Sequence, residues 1–140
     1  MIYVDTSVLV AYYCPERLSA RAQRLLQEQH ELSLSSLVEV ELASALAGKV
    51  RSRQMRLADA RRVHALFQVH LEEGMFTRLA LERLHFSKAY EWLATFRTPL
   101  RTLDALHVAV AAAQGATLLT ADTTLAKACS RVGVTTRVIG

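Results

Sequence analysis

The chain has 140 residues, of which 51% are hydrophobic, a length that supports one buried core and excludes two ordinary domains. The formal net charge is +4, and the cations are 14 arginines against 3 lysines. Arginine pairs with phosphate in a two-pronged geometry, so this bias favours a nucleic-acid partner, although a GC-rich genome that encodes arginine in place of lysine would give the same composition.

No uncharged apolar run reaches about 18 residues, which excludes a membrane-spanning helix, and the first residues lack the basic and apolar regions of an export signal. We therefore expect a single domain over residues 1–140 that is cytoplasmic and has no membrane partner. Cys14 and Cys129 are isolated, and no histidine stands at a zinc-ligand spacing from them. Both are predicted to be buried, reduced thiols.

Short apolar runs alternate with longer segments of helical period, which is typical of an α/β domain with a mostly parallel sheet. In chain order, the pattern predicts five strands: Met1–Val4, Glu31–Ser35, Phe76–Ala80, Ala116–Thr120 and Thr135–Ile139. It also predicts seven helices: Thr6–Tyr13, Leu18–Gln29, Leu37–Val50, Leu57–Glu72, Phe86–Phe96, Leu103–Gln114 and Thr123–Val132. Gly115 and Gly133 are natural stops for the last two helices. The apolar positions between residues 72 and 84 fit neither period cleanly.

Three of the four aspartates stand at junctions between predicted elements. Asp5 ends the first strand, Asp122 follows the fourth strand, and Asp104 lies in the first turn of the helix that leads to the fourth strand. Because parallel strands end at one edge of a sheet, Asp5 and Asp122 should face one cleft, and one connection could bring Asp104 there. Alone, each acid could instead be a helix cap or a partner of a helix dipole.

Several carboxylates in one cleft repel each other unless a cation neutralises them, so the joint pattern predicts a metal site. Oxygen ligands favour Mg²⁺ or Mn²⁺ over zinc. A fourth acid must come from the helix that follows Ser35 and Ser36, where Glu39 and Glu41 both occur. Each shares a helix face with apolar residues, so the spacing leaves both possible.

Four motifs in this order resemble the PIN-domain family, and the VapC toxins in particular. They are Val-Asp-Thr-Ser near the start, Ser-Ser followed by Glu-Leu on a helix, Leu-Arg-Thr-Leu-Asp-Ala-Leu-His, and Leu-Leu-Thr-Ala-Asp. Each motif is short, but the four occur at family-like separations over essentially the whole chain. The resemblance implies a PIN-like α/β fold with a central, mostly parallel, five-stranded sheet flanked by helices.

The resemblance also implies a catalytic and metal-binding set of four acids: Asp5, Glu41, Asp104 and Asp122. Glu41 is assigned in preference to Glu39 because the family motif has leucine directly after the acid. Hydroxyl groups that support the acids by hydrogen bonding are implied at three positions: Thr6, Ser7 and Thr120. His107 recurs in the family motif, and we interpret it as a packed or carboxylate-bonded histidine rather than a catalyst.

As a member of this family, the protein would be an endoribonuclease that uses Mg²⁺, with Mn²⁺ as a substitute, and a homodimer inhibited by a VapB-type antitoxin. Carboxylate-held Mg²⁺ suits phosphodiester hydrolysis because it activates water and offsets the developing negative charge. Candidate contacts to the RNA backbone are four arginines: Arg51, Arg53, Arg97 and Arg101. Ordinary solvated helix faces are the alternative for such arginines.

Two other magnesium-using classes are disfavoured. A haloacid-dehalogenase-like phosphatase would have a second acid at position 7, where this chain has Ser7, and a receiver domain would have paired acids in its first loop. The alternative that stays open is a PIN-fold module without catalysis that binds RNA or regulates.

Overall fold

The protein, described over residues 1–140 by a computed structural model, contains a five-stranded sheet and seven helices. The strands are β1 (Ile2–Val4), β2 (Leu32–Ser35), β3 (Thr77–Leu79), β4 (Thr117–Thr120) and β5 (Thr136–Val138). The helices are α1 (Thr6–Tyr13), α2 (Ser19–Glu28), α3 (Ser36–Arg51), α4 (Leu57–Glu72), α5 (Arg83–Leu93), α6 (Thr102–Gln114) and α7 (Thr123–Arg131). This arrangement confirms the predicted α/β class.

The sheet has the strand order β3-β2-β1-β4-β5, and every pair of neighbours is parallel. All five strands therefore end at the same edge, which we call the carboxyl edge. In the pairing of β1 with β4, Val4 lies opposite Leu119, and the backbone N–H of Asp5 donates to the carbonyl of Leu119 at 3.0 Å. This register places Asp5 beside Thr120, the last residue of β4.

The core lies on both faces of the central strands, where Tyr3, Val4, Leu118 and Leu119 are buried. Helix α6 explains the almost continuous apolar run in the sequence, because every residue from Ala105 to Ala111 is buried. Since α6 leads into the start of β4, its first turn lies at the opposite, carboxyl edge of the sheet. The core therefore fixes α6 so that Asp104 is presented at the edge where Asp5 and Asp122 lie.

The predicted helix ends agree with the structure to within one residue except around α5. This helix begins at Arg83 rather than Phe86, because the side chain of His85 accepts a hydrogen bond from the backbone N–H of Glu82 at 2.9 Å and organises the first turn. It ends at Leu93, and Phe96 adopts a left-handed backbone conformation, with a φ of 55°. Gly115 also has a positive φ directly after α6, as predicted for a helix stop.

No helix combines the length and apolar character that crossing a membrane requires. Cys14 and Cys129 are both buried and unpaired, as predicted.

Candidate active site

Asp5 directly follows β1 and is only 8% exposed. Its Oδ2 accepts hydrogen bonds from Ser7 Oγ and from Thr120 Oγ1, each at 2.8 Å. Its Oδ1 accepts none, and no buried side-chain oxygen or nitrogen lacks a partner, so Oδ1 is open to solvent. The two hydroxyls fix the carboxylate and leave one oxygen for a ligand.

The structure separates the two glutamates that the spacing left open. Glu39 forms an ion pair with Arg78 of β3, with an N–O distance of 2.6 Å. Glu41 Oε1 instead accepts a hydrogen bond from Thr6 Oγ1 at 2.8 Å and contacts Nε2 of His107. Glu41 is thus the glutamate joined to the residue next to Asp5.

The contacts of Glu41 also favour its ionised form. Partial burial alone would raise the pKa of this carboxyl, but the hydrogen bond and charge of His107, together with the hydrogen bond from Thr6, outweigh burial and lower the pKa below its usual value. Glu41 is therefore an anion at neutral pH.

Asp122 is the N-cap of α7, as the simpler interpretation of this residue expects. Its Oδ1 accepts hydrogen bonds from the backbone N–H groups of Thr124 and Leu125, at 2.8 and 3.1 Å. Its own N–H donates at 3.0 Å to Thr120 Oγ1, the hydroxyl that donates to Asp5. The capping role and the link to Asp5 therefore coexist, and Oδ2 stays without a protein partner.

Asp104 lies in the first turn of α6, where Oδ2 accepts a hydrogen bond from the backbone N–H of Arg101 at 3.2 Å. His107, one turn further along the same helix face, is the residue that contacts Glu41. Burial raises the pKa of the Cys129 thiol to about 11, and the charges of Asp5 and Asp104 both add to the rise. Asp104 and Asp5 therefore lie close enough to one thiol to act on it together.

The four carboxylates share one arrangement, in which a single oxygen accepts hydrogen bonds from the protein and the other accepts none. No three carboxylate, histidine or cysteine side chains lie close enough together to form a ready metal site. Mutual repulsion between the negative charges favours such spacing. The donor set consists of carboxylate oxygens held by hydroxyl and amide donors, and this chemistry fits Mg²⁺ or Mn²⁺.

Comparison with known proteins identifies the family. A family model of the PIN domain matches residues 2–130. The chain belongs to the PIN domain family. No curated protein matches its sequence significantly.

Solved structures similar to this PIN domain include VapC20 of Mycobacterium tuberculosis, described as a toxin that cleaves the sarcin-ricin loop. It is 19% identical, with a TM-score of 0.72 and 96% of each chain covered. VapBC2 of Rickettsia felis, bound to a DNA fragment from its promoter, is 16% identical, with a TM-score of 0.70 and complete coverage of both chains. PAE2754 of Pyrobaculum aerophilum is 22% identical, with a TM-score of 0.68 and coverage of 96% of this chain and 82% of that one. At these identities the likeness concerns the fold.

The candidate arginines of this PIN domain fall into two separate groups. Arg97 and Arg101 are exposed in the loop before α6, and the backbone of Arg101 contacts Asp104. Arg51 ends α3, ten residues after Glu41, which is roughly 15 Å along the helix axis, and Arg53 follows in the turn to α4. Of the four arginines, Arg101 is the one in contact with a candidate acid.

Sequence reasoning missed Tyr3 and Ser35, two residues that support this site through His107. The hydroxyl of Tyr3 lies 2.7 Å from both Ser35 Oγ and His107 Nδ1, and all three residues are buried. Burial raises the pKa of Tyr3, the hydrogen bond from Ser35 opposes the rise, and the charges of Asp5 and Glu41 add to it, so the phenol stays protonated. The sequence feature that could have indicated this network is a tyrosine in a buried central strand, because a buried tyrosine hydroxyl needs a polar partner.

Proposed function

We propose that this PIN domain is a metal-dependent endoribonuclease and the toxin of a VapBC-type toxin–antitoxin pair. The observation that carries the proposal is the arrangement of the four acids. Asp5 is joined to Glu41 through Thr6 and to Asp122 through Thr120, and each carboxylate keeps one oxygen free. The fold-level likeness to VapC20 and VapBC2 supports the same conclusion.

In this proposal, Asp5, Glu41, Asp104 and Asp122 hold one or two Mg²⁺ ions. Such an ion would supply water activation near neutral pH and a counter-charge for the negative charge that develops during phosphodiester hydrolysis. Ser7 and Thr120 keep the Asp5 carboxylate in one orientation, so its free oxygen needs no reorganisation when a ligand arrives. Glu41, whose pKa is lowered, contributes a full negative charge. Arg97 and Arg101 hold the phosphates of the RNA next to the acids.

The antitoxin would bind the groove between α3 and α4, whose volume is about 560 Å³. Most of the residues that line this groove are apolar, among them Leu46, Val50, Leu57 and Ala60. Its rim carries three basic or titratable side chains: Arg51, Arg61 and His64. An amphipathic helix with an apolar face and acidic flanks fits both features. The homodimer implied by the family resemblance stays a prediction.

The deciding experiment is end-mapped cleavage of a panel of RNAs by the purified protein in Mg²⁺, with and without EDTA. We expect specific cleavage that EDTA abolishes and that Asp5→Asn lowers about a thousandfold, because a neutral amide cannot supply the anionic ligand. Asp59→Asn is the matched control, since Asp59 pairs only with two exposed arginines, Arg56 just before α4 and Arg62 within it. Full cleavage by a folded Asp5→Asn variant would contradict the proposed site.

A PIN-fold module without catalysis is the second candidate, and the lack of three ready metal ligands favours it. This candidate predicts no cleavage of any RNA in the panel and no binding of Mn²⁺ at millimolar concentration. The cleavage panel and a Mn²⁺ titration therefore separate the two functions.

A further inference from the structure

The contact between Glu41 and His107 is the end of a longer hydrogen-bonded chain. Glu41 is the most exposed member, with 25% of its side chain accessible, whereas His107 is 2% exposed. Tyr3 and Ser35 are fully buried. The chain thus runs from β2 through β1 and α6 to α3, and it ends on a carboxylate at the protein surface.

We propose that Tyr3 is a positioning residue for the acid site: its hydroxyl fixes the imidazole of His107, which in turn holds the carboxylate of Glu41 in place for a metal ion. This inference rests on the proposed metal role of Glu41. It adds two residues, Tyr3 and Ser35, to which the family resemblance assigned no role.

The hydroxyl of Tyr3 holds the inner ring nitrogen of His107. Nε2 of His107 contacts the carboxylate of Glu41, and the other ring nitrogen, Nδ1, lies 2.7 Å from the hydroxyl of Tyr3. A phenol hydroxyl both donates and accepts, so it is a hydrogen-bond partner for Nδ1 with or without a proton on that nitrogen. Ser35 Oγ, 2.7 Å away on the other side, is the second partner of the Tyr3 hydroxyl. The imidazole is therefore held at both of its nitrogens, which gives it one orientation.

Glu41 needs such support because its side chain is long and only partly buried. A glutamate at such a position loses rotamer freedom only where other groups hold it. The donors to Glu41 are Thr6 and His107, and Thr6 belongs to the turn that follows Asp5. Loss of the orientation of His107 would leave the carboxylate tied at a single point, the hydrogen bond from Thr6.

The protein also contains a second tyrosine–histidine hydrogen bond, which is not linked to a carboxylate and can serve as a control. Tyr13, which is 9% exposed on α1, has its hydroxyl 2.6 Å from Nδ1 of His70. This contact lies at the end of α1 that is remote from Asp5. Removal of the Tyr13 hydroxyl thus repeats the loss of a tyrosine–histidine hydrogen bond without touching the acids.

The test compares Tyr3→Phe with Tyr13→Phe in the full-length protein by Mn²⁺ binding, measured by electron paramagnetic resonance, and by thermal unfolding. Both variants should lower the unfolding midpoint, and Tyr3→Phe by more, because it removes a partner from both His107 and Ser35 whereas Tyr13→Phe removes one from His70 alone. Only Tyr3→Phe should weaken Mn²⁺ binding, by about tenfold, which is typical for residues that orient a metal ligand. Equal Mn²⁺ affinity in the two variants would overturn the inference.

Glu41→Gln distinguishes failure of the inference from failure of the proposed function. If Glu41→Gln weakens Mn²⁺ binding and Tyr3→Phe does not, the metal role of Glu41 stands and the role of Tyr3 is wrong. If Glu41→Gln leaves Mn²⁺ binding unchanged, both are wrong. Should Tyr3→Phe fail to fold, Ser35→Ala replaces it; weaker Mn²⁺ binding then supports the inference, and binding equal to that of Tyr13→Phe overturns it.

Discussion

The two ends of α3 are built in different ways. Near its start, Glu41 belongs to a network in which hydroxyls, an imidazole and backbone amides hold each carboxylate by one oxygen. Near its end, Arg51 borders an open apolar groove, and Arg53 stands exposed in the following turn. The first end has fixed orientations and suits chemistry that needs defined ligand positions. The second end offers area and charge, which suit a partner that adapts to the surface.

The largest expected loss of cleavage and stability concerns the ordered end of α3 and its neighbours. It is expected on substitution of Thr120, whose hydroxyl joins Asp5 to Asp122. Thr120→Val keeps the shape of the fully buried side chain but removes the donor to Asp5 and the acceptor for the N–H of Asp122. We expect cleavage to fall about 10- to 100-fold and the free energy of unfolding to fall by about 1–3 kcal/mol. RNA cleavage rates and urea denaturation measure the two effects.

Thr117→Val provides the control for this prediction. Thr117 begins the same strand, and its side chain makes no hydrogen bond, so the substitution should leave cleavage unchanged. If Thr120→Val lost stability alone, with the cleavage rate of Thr117→Val, the hydroxyl would serve folding only and the two ends of α3 would differ less than we infer.

A smaller effect should separate the two groups of arginines. In an Asp5→Asn background, which prevents cleavage, Arg97→Ala with Arg101→Ala should weaken RNA binding about tenfold and reduce its dependence on salt, because two phosphate contacts are lost. Arg51→Ala with Arg61→Ala should instead weaken binding of the cognate antitoxin, since both residues border the groove. Filter binding at several salt concentrations and titration calorimetry measure the two affinities.

A loss of RNA affinity on substitution of the arginines at the groove would contradict the proposed difference between the two ends of α3. If the variants at the groove lost affinity for a short RNA as strongly as the variants at Arg97 and Arg101, then RNA would run along the whole of α3. Arg51 would in that case be an RNA contact, as the arginine-rich stretch of the sequence predicted.

Much of the fold follows from the sequence because hydrophobic periodicity reports burial directly. The apolar run of α6 and the short run of β4 predicted both elements to within a few residues. Asp5 and Asp122 could be placed at one edge for the same reason, since each follows a buried strand. The start of α5 was less predictable because it depends on the contact between Glu82 and His85. Its end was also missed, because a phenylalanine side chain gives no indication of the left-handed backbone conformation that Phe96 adopts.

The site was less accessible from the sequence because long-range contacts decide it. Periodicity allowed both Glu39 and Glu41 to face inward, and only Arg78 on β3 and His107 on α6 distinguish them. The bond of Tyr3 to His107 joins residues 104 positions apart. Such a contact depends on strand register and helix packing, which local patterns do not contain.

The smallest expected effect concerns the charge of Glu41 in the metal-free protein. Because its pKa in the folded state lies below the ordinary value of 4.5, Glu41 adds stability that is fully present above that pH and is lost as pH falls through the lower folded pKa. The free energy of unfolding of wild type, relative to Glu41→Gln, should therefore be constant at neutral pH and decline below about pH 4.5. Urea denaturation in EDTA measures this difference. Thr6→Val, which removes one of the two donors, should show a shallower decline; an identical decline would mean that His107 alone holds Glu41 at the ordered end of α3.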